Sequence, residues 1–158
     1  MKDKEKQMYM DIAERVAKES HAVRLKVGAV LVTESGMLSI GYNGTFPGDD
    51  NCCEIKTYIG DGTAMSGDAR WDPVKNQYYT LVTKPETYHA EENVISKLLE
   101  EGVPAKNGTL FLTHSPCLPC AKILAKAKIK ALYFKEHYRS DEGLKFLASK
   151  GISVIHYV

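Results

Sequence analysis

His89, Cys117 and Cys120 are the residues of this chain whose types and spacing are best suited to binding a metal ion. His89 begins the sequence His-Ala-Glu, and the two cysteines lie downstream in Pro-Cys-Leu-Pro-Cys. One imidazole and two thiolates are ligands that zinc prefers, and structural zinc sites usually have four protein ligands. A catalytic site leaves the fourth position open for water. This set of ligands therefore predicts a catalytic zinc ion.

Glu91 lies two residues after His89 and supplies a carboxylate that need not bind the metal. Zinc lowers the pKa of a coordinated water from about 15.7 towards about 7, which makes hydroxide available at neutral pH. We expect Glu91 to take the proton from that water and to pass it to a ring nitrogen and then to departing ammonia. The combination of H-x-E with P-C-x-x-C is typical of zinc-dependent nucleobase deaminases.

Each part of this signature has a less specific interpretation when it stands alone. A Cys-x-x-Cys pair can be a redox motif, His89 can be a buried histidine with satisfied hydrogen bonds, and Glu91 can be a solvated helix residue. The combination favours the zinc site, because a helix is predicted to begin at each half. Pro116 suits a helix start, and Cys117 and Cys120 then share one face of the first turn. The helix dipole there favours the thiolate form.

Length, charge and cysteine content limit the possible classes of protein. A chain of 158 residues predicts one domain over residues 1–158 with a substantial core. Lys and Arg number 21 against 20 Asp and Glu, so no overall field favours nucleic acid as a partner. The charged start has no apolar segment typical of a signal peptide, and no apolar run has the length of a membrane span. With Cys117 and Cys120 assigned to metal, we expect a reduced, cytoplasmic protein.

Hydrophobic periodicity predicts the elements that precede the first metal ligand. Met8, Ile12 and Val16 recur at helical spacing and predict an amphipathic helix that ends near Ser20. Strands over 27–32 and 37–42, joined by a turn at 34–36, predict a β-hairpin. Residues 43–54 are predicted to be a loop. Residues 55–88 give the weakest pattern, because Pro73 and several glycines break any helix. Within them, four residues either pair as a short strand or simply pack: Tyr78, Tyr79, Leu81 and Val82.

After residue 88 helices and strands alternate. Helices are predicted over 89–101, 117–127 and 141–150, and strands over 109–113, 131–135 and 152–157. The apolar face of the first of these helices contains Val94, Ile95, Leu98 and Leu99. A β-hairpin followed by this alternation predicts an α/β fold with a mixed sheet between helices. Both halves of the metal signature then lie at helix N-termini beside strand ends, where α/β proteins form ligand crevices.

A second set of motifs resembles the deoxycytidylate (dCMP) deaminases. Gly-Tyr-Asn-Gly at 41–44, Pro-Gly at 47–48 and Asn-Cys-Cys-Glu at 51–54 closely resemble a loop of that family, and residues 27–30, 89–93 and 115–117 also fit it. The resemblance covers nearly the whole chain, is weakest over 55–88, and extends to the small size of bacterial and viral members. It implies a cytidine deaminase-like three-layer α/β/α sandwich around a mixed five-stranded sheet. It also implies hydrolysis of dCMP to dUMP and ammonia, which supplies thymidylate synthesis.

The same resemblance implies which residues contact the nucleotide. Asn43 would bind the sugar 3′-hydroxyl, and Tyr138 would pack near base and sugar. The backbone N–H of Ala90 and a main-chain group near Ser115 would read the Watson–Crick edge of cytosine. The candidates for binding the phosphate are Arg24, Lys26 and Arg139. Alternatives are turn chemistry for Asn43, ordinary packing for Tyr138, and surface solvation for the three cations. The lysines over 122–130 are interpreted as a solvated helix face.

Members of the resembled family are commonly hexamers that dCTP with Mg²⁺ activates and dTTP inhibits. Gly44, Asn51 and Glu54 lie in the loop that resembles the effector site, although a loop of this kind can also merely shape the substrate pocket. Effector nucleotides and a homohexamer are therefore expected, without nucleic-acid or membrane partners.

The number of zinc ions is a separate question, because some members of the resembled family bind a second, structural zinc ion. The corresponding positions here carry Ala22 with His21 beside it, Cys52 next to Cys53, and Tyr79 or a neighbour. One zinc per subunit is therefore expected. Two other functions compete with dCMP deamination. One is a zinc deaminase of dCTP as well as dCMP, or of free cytidine. The other is a non-catalytic, zinc-stabilised nucleotide-binding module, against which Glu91 argues.

Overall fold

The structure is a computed structural model that describes residues 1–59 and 67–158. Gly60 and Gly62, two of the glycines predicted to interrupt any helix, lie outside the described residues. In chain order the elements are α1 (Asp3–Ala17), β1 (Gly28–Val32), β2 (Leu38–Tyr42), β3 (Glu54–Tyr58), β4 (Arg70–Asp72), β5 (Gln77–Thr83), α2 (Ala90–Glu100), β6 (Thr109–His114), α3 (Leu118–Lys126), β7 (Ala131–Glu136), α4 (Glu142–Ser149) and β8 (Ser153–His156). The helices and strands predicted from periodicity are confirmed, with small differences at their ends. Within the described ranges, no helix is both long and apolar enough to cross a membrane.

The main sheet has five strands in the order β2-β1-β6-β7-β8. β1 is antiparallel to β2 and β6, whereas β6, β7 and β8 are parallel, so the predicted mixed five-stranded sheet is confirmed. All five residues of β1 are buried, as expected for a strand covered on both faces. Ala29 and Leu31 pack with residues of α2, α3 and α4, while Val30 packs with α1 on the opposite face. The helices therefore form two outer layers around the sheet.

The buried faces of two helices differ in part from those that the sequence predicts. In α1, Val16 is buried and Ile12 packs against the core as predicted, but Met8 is exposed, and the residues that contact the sheet include Met10 and Ala13. A helical period fits Met8 as well as Met10, so periodicity alone does not decide which of them is buried. A Cβ at Gly28 would lie 2.0 Å from the carbonyl oxygen of Ala13. The glycine therefore lets α1 approach β1 on the Ala13 side. In α2, Leu99 is 75% exposed, because the helix surface turns to solvent directly after the buried Leu98.

Residues 54–83 include a small sheet in the strand order β3-β5-β4, which confirms the strand interpretation of residues 78–82. Its two ends meet, because Glu54 pairs with Thr83 and the N–H of Lys84 donates to the carbonyl of Cys53 at 2.9 Å. The outward-facing side chains are exposed apolar residues, namely Ile55, Trp71, Tyr78 and Val82. The chain thus leaves the main fold and returns to nearly the same point.

Asp72 joins the strands of the small sheet, and its carboxylate gives stability a pH dependence. The buried side chain accepts hydrogen bonds from the Tyr58 hydroxyl at 2.7 Å and from the Lys56 ammonium at 3.1 Å. These bonds, that of Tyr58 first, hold the pKa of Asp72 well below its usual range. A lowered folded-state pKa stabilises the fold fully above the unfolded value of about 3.9, and this stabilisation is lost as pH falls below it.

We therefore expect Asp72→Asn to lower Tm at pH 7 and pH 5, and the difference from the wild type to shrink at pH 3.5. Thermal unfolding of both proteins at the three pH values checks this. Asp49→Asn is the control, since the Asp49 side chain is exposed and its substitution should change Tm little at any pH. A difference in Tm that stays constant with pH would contradict a role for the Asp72 charge.

Candidate active site

The two halves of the metal signature lie immediately before helices α2 and α3. His89 has extended backbone (φ −82°, ψ 158°) and precedes Ala90, and its N–H donates to the carboxylate of Glu92 at 2.7 Å. Cys117 has a similar conformation (φ −68°, ψ 165°) before Leu118, and a proline lies in the first turn of α3. The unpaired amides and positive dipole end of each helix therefore face the ligands and favour negative charge there.

The three candidate ligand atoms are close enough together to share one ion. The Sγ atoms of Cys117 and Cys120 lie 3.5 Å and 3.3 Å from Nδ1 of His89, and all three atoms lie within 4.8 Å of one another. A tetrahedral zinc ion, with bonds of about 2.3 Å to sulfur and about 2.0 Å to nitrogen, separates such donors by about 3.5 Å. The donors therefore fit zinc. Within residues 1–59 and 67–158 no second group of three potential ligands is found.

The ligands also perturb the protonation of one another. A hydrogen bond from Cys120 and contact with His89 lower the pKa of Cys117 to about 4, while hydrogen bonding to Cys117 raises that of His89 to about 9. The bond to Cys117, together with burial, raises the pKa of Cys120. These shifts favour the thiolate form of Cys117. Because metal ligands must be deprotonated, zinc binding here is coupled to proton release.

Glu91 lies in the first turn of α2 and is only 4% exposed. Burial raises the pKa of its carboxyl to about 7, against opposing effects of its own backbone amide and of His89. A carboxyl of this kind can bind and release a proton near neutral pH, which general acid–base catalysis requires. A perturbed carboxyl beside a metal-binding cluster in a cleft is a typical feature of catalytic sites.

A cavity of about 580 Å³ adjoins the metal-binding segments. Its wall includes His89, Ala90, Glu91, Ser115 and Cys117, and also the cationic or polar residues Arg24, Asn43, Thr83, Arg70, His114, His137, Tyr138 and Arg139. The cavity thus combines a metal-binding cluster and a buried carboxyl with several cationic side chains. That combination is suited to a ligand with an anionic group and a part that reacts with water.

Most of the residues predicted to bind substrate lie in the wall of this cavity. Asn43 is fixed by two hydrogen bonds, from the N–H of Val27 to its Oδ1 and from its Nδ2 to the carbonyl of Leu25, both 2.8 Å. Ser115 Oγ accepts the N–H of Tyr138 at 2.8 Å, which ties the end of β6 to the segment after β7. Asn43 therefore organises the cavity wall at 25–27 through contacts distant in sequence, while lying where a ligand can reach it.

Two predicted residues, Lys26 and Glu54, lie elsewhere than expected. Lys26 is exposed and does not line the cavity, because Leu25 and Val27 take the inward positions of this extended segment. Gly44 and Asn51, which are expected in an effector loop, also lie outside the wall of this cavity. Glu54, expected in the same loop, instead begins β3, is buried, and accepts the N–H groups of Val23 and Arg24 at 2.8 Å and 3.0 Å. Its carboxylate thus holds the Arg24 segment in place.

The sequence prediction missed several residues of the cavity wall, among them Arg70, His137 and His114. Arg70 comes from β4, in the stretch where periodicity gave no pattern, and no sequence signal could have placed it. His137 follows β7 directly, and His114 directly precedes Ser115. His114 ends β6 and His137 follows β7, and these two strands are parallel. Because the carboxyl ends of parallel strands meet at one edge of a sheet, this position could have predicted that both histidines lie at the cavity.

Gly143 positions the segment that contains Cys117. A Cβ at this position of α4 would lie 2.1 Å from the carbonyl oxygen of Pro116 and 3.0 Å from that of Cys117. We expect Gly143→Ala to displace this segment and to weaken zinc binding by about 10- to 100-fold, the usual effect of changing groups that orient metal ligands. Competition with a chromogenic zinc chelator measures the affinity.

Gly108→Ala is the matched control for this substitution. A Cβ at Gly108 would lie 2.8 Å from the Ala105 carbonyl oxygen, but at the opposite end of β6 from Pro116. It should lower Tm without changing the affinity for zinc. Equal zinc affinities of the two variants would show that Gly143 has only a general packing role.

Comparisons with known proteins agree with the geometry of this site. A sequence profile of the family described as "Cytidine and deoxycytidylate deaminase zinc-binding region" matches residues 3–136. The crystal structure of dCMP deaminase from the cyanophage S-TIM5, in complex with dCMP and dUMP, is 32% identical in sequence. It superposes with a TM-score of 0.78 over 98% of this chain and 97% of that one.

Two curated relatives are similar over much of the chain. ComE operon protein 2 of Bacillus subtilis (strain 168) is 32% identical over 136 residues, which are 85% of this chain and 60% of that protein. Deoxycytidylate deaminase of Saccharomyces cerevisiae is 31% identical over 164 aligned positions, covering 96% of this chain and 48% of the yeast protein. The chain thus spans about half to three fifths of the length of these two relatives.

Proposed function

This chain belongs to the family of cytidine and deoxycytidylate deaminases, and from that membership we propose that it hydrolyses dCMP to dUMP and ammonia. The observation that carries the proposal is the cluster of three zinc-type ligands, two of which, His89 and Cys117, line one cavity together with the buried Glu91. The similarity to the cyanophage dCMP deaminase, over nearly the full length of both chains, supports the choice of substrate. The product dUMP would supply thymidylate synthesis.

Glu91 is the proton-transfer group in this proposal. Zinc held by His89, Cys117 and Cys120 would supply a nucleophile by lowering the pKa of water towards about 7. Glu91 accepts a proton from the attacking water and donates it to N3 of the pyrimidine. It then transfers the second proton of the water to the amino group at C4, which leaves as ammonia. One water is consumed for each dUMP and ammonia formed.

Other residues of the cavity wall are proposed to hold the nucleotide. Arg24, Arg70 and Arg139 are the proposed phosphate ligands, since guanidinium groups bind phosphate well. The Nη1 atom of Arg24 lies 3.3 Å from Oγ1 of Thr83, which limits its mobility. Asn43 is proposed to bind the 3′-hydroxyl, and Tyr138 to pack against base and sugar. The amide of Ala90 and the main chain near Ser115 are proposed to read the edge of cytosine.

Ammonia release from four substrates tests this function. The zinc-loaded protein should deaminate dCMP with a higher kcat/KM than dCTP, cytidine or a tRNA anticodon stem. Preferred release from dCTP or cytidine would instead identify one of the alternative zinc deaminases. Release from none of the four, together with measurable binding of dUMP, would indicate a non-catalytic nucleotide-binding module.

Regulation by dCTP with Mg²⁺ as activator and dTTP as inhibitor is also proposed, in a homohexamer with one zinc per subunit. Supporting it, Gly44 in the loop after β2 exchanges two backbone hydrogen bonds of 3.0 Å and 2.8 Å with Tyr88, the residue before His89. A ligand bound to this loop thus acts on a segment adjoining the metal site. An effector shifts the equilibrium between two states only if it binds them unequally.

We expect dCMP saturation to be sigmoidal without effector and hyperbolic with dCTP and Mg²⁺, with a coupling of about 1–3 kcal/mol. Asn51→Ala, in the exposed loop, should weaken the response to dCTP more than basal turnover. Initial rates over a range of dCMP concentrations, with and without each effector, check this. Hyperbolic kinetics indifferent to dCTP and dTTP would leave the loop as a structural element only.

A further inference from the structure

His114 is a cavity residue that neither the metal site nor the proton transfer by Glu91 employs. It is the last residue of β6, is half-buried, and lines the cavity together with Ala90 and Cys117. Along β6 it follows Leu110 and Leu112 at every second position, so the three belong to one face of the strand. Those leucines pack in the same cluster as Ala90 and Ala121 of helices α2 and α3. His114 therefore continues the face on which the metal-binding helices lie.

The hydroxyl of Thr113 favours one of the two neutral tautomers of His114. Oγ1 of this buried threonine accepts the N–H of Gly28 at 3.0 Å and lies 3.1 Å from Nδ1 of His114. In the part of the chain that the structure describes, Nδ1 is the one acceptor found for the hydroxyl hydrogen. If Nδ1 donated instead, this hydroxyl hydrogen would be left without a partner, so donation to Nδ1 is favoured, which places the proton of the neutral ring on Nε2.

The environment also favours the neutral form of this imidazole. Burial lowers the pKa of His114 below its usual value, against an opposing effect of Glu136. The cavity thus contains a neutral N–H donor at Nε2, in addition to the guanidinium groups of Arg24, Arg70 and Arg139. A neutral donor selects for an uncharged acceptor atom, whereas guanidinium groups suit a phosphate.

We propose that His114 is a specificity-determining residue that donates a hydrogen bond from Nε2 to an acceptor oxygen on the nucleoside part, base or sugar, of the bound nucleotide. This inference rests on the proposed function, since it assumes a pyrimidine nucleotide in the cavity. A site built around a hydrogen-bond donor rejects a ligand without the matching acceptor, because the donor is then left buried and unpaired.

Three substitutions separate the two ring nitrogens. In His114→Gln the amide nitrogen lies close to the position of Nε2, in His114→Asn it lies close to Nδ1, and His114→Leu has no donor. We expect Gln to bind dUMP within about threefold of the wild type, and Asn and Leu to bind it about tenfold more weakly, the worth of one hydrogen bond. The loss should be equal for deoxyuridine, which lacks the phosphate. Titrations use the zinc-loaded proteins, and kcat and KM for dCMP are measured in parallel.

A direct readout of the tautomer accompanies the binding data. Nitrogen-15 NMR of the histidine-labelled zinc protein, with His114 assigned from its loss in His114→Gln, should show a protonated Nε2 and an unprotonated Nδ1. Thr113→Val keeps the imidazole but removes the hydroxyl, and should shift the proton partly to Nδ1 and weaken dUMP binding. If His114→Asn or His114→Leu fails to fold, Thr113→Val still tests whether the tautomer of His114 controls the affinity for dUMP.

Several results would overturn the inference. The first is a proton on Nδ1 of His114 in the wild-type protein. The second and third are an equal loss of dUMP affinity in His114→Gln and His114→Leu, and unchanged dUMP affinity in His114→Leu. The fourth is a loss of affinity for dUMP without a loss of affinity for deoxyuridine. The last would place the contact on the phosphate. Failure of the proposed function looks different, because the wild-type protein itself would then neither bind dUMP nor release ammonia from dCMP, whatever the tautomer of His114.

Discussion

Glu91→Gln is expected to remove nearly all turnover of dCMP while zinc and the fold are retained. Proton transfer by a positioned side chain typically contributes about 10²–10⁴-fold, and here one carboxyl serves two transfers, so we expect a loss at or above the upper end. Glutamine preserves the size of the buried side chain but cannot bind and release a proton. Measuring kcat on protein with verified zinc content gives the result.

Glu101→Gln is the control, since Glu101 lies at the exposed C-terminal end of α2 and should leave kcat unchanged. Glu91→Ala should also lose turnover but in addition leaves a cavity at a position that is 4% exposed. A kcat close to normal in zinc-replete Glu91→Gln would remove Glu91 from the mechanism and with it the central element of the proposed chemistry.

Cys117→Ser and Cys120→Ser are each expected to abolish stable zinc binding, whereas the wild-type protein should contain about one zinc per chain. A tetrahedral site with three protein ligands does not readily tolerate the loss of a thiolate. Metal binding contributes directly to the free energy of folding, so both variants should also have a lower Tm than the zinc-loaded wild type. Elemental analysis and thermal unfolding measure the two effects.

Cys52→Ser is the matched control for these substitutions, because Cys52 is an exposed cysteine outside the cluster. It should retain zinc and stability. Two zinc ions per wild-type chain, one of them lost in Cys52→Ser, would instead show a second site that uses Cys52 and neighbours such as Cys53 or His21.

The metal cluster is the part of the site that the sequence predicted best. Ligand chemistry and helix starts are both local, so His89 and Cys117 could be placed at the N-termini of α2 and α3 without knowledge of the fold. The sheet was predictable for a similar reason, because β1 is apolar throughout and the alternation after residue 88 has clear periods.

Tertiary contacts decided the remaining positions. Arg24 lies at the cavity because the distant carboxylate of Glu54 binds its backbone, whereas Lys26, two residues later, does not line the cavity. Met8 and Met10 fit the helical period of α1 almost equally well. Only the close approach of Ala13 to Gly28 decides that Met10 is buried and Met8 is exposed. Most residues of β3 are exposed, so the small sheet gives no amphipathic signal, and Arg70 could not be assigned to the cavity.

The meeting point of Glu54 and Thr83 has a consequence for how proteins of this architecture can diverge. The ends of the small sheet are joined by strand pairing and by the bond from Lys84 to Cys53, whatever the length of chain between them. Lengthening a chain between two joined ends costs little, about 0.6 kcal/mol of closure free energy for each doubling, so we expect insertions and deletions between these ends to be tolerated. Such changes alter the part of the cavity wall that contains Arg70 and Leu81, and therefore the choice of ligands that can enter the cavity. The segments with His89 and Cys117 stay in place. The range of substrates can therefore evolve through changes in residues 54–83, independently of the catalytic chemistry.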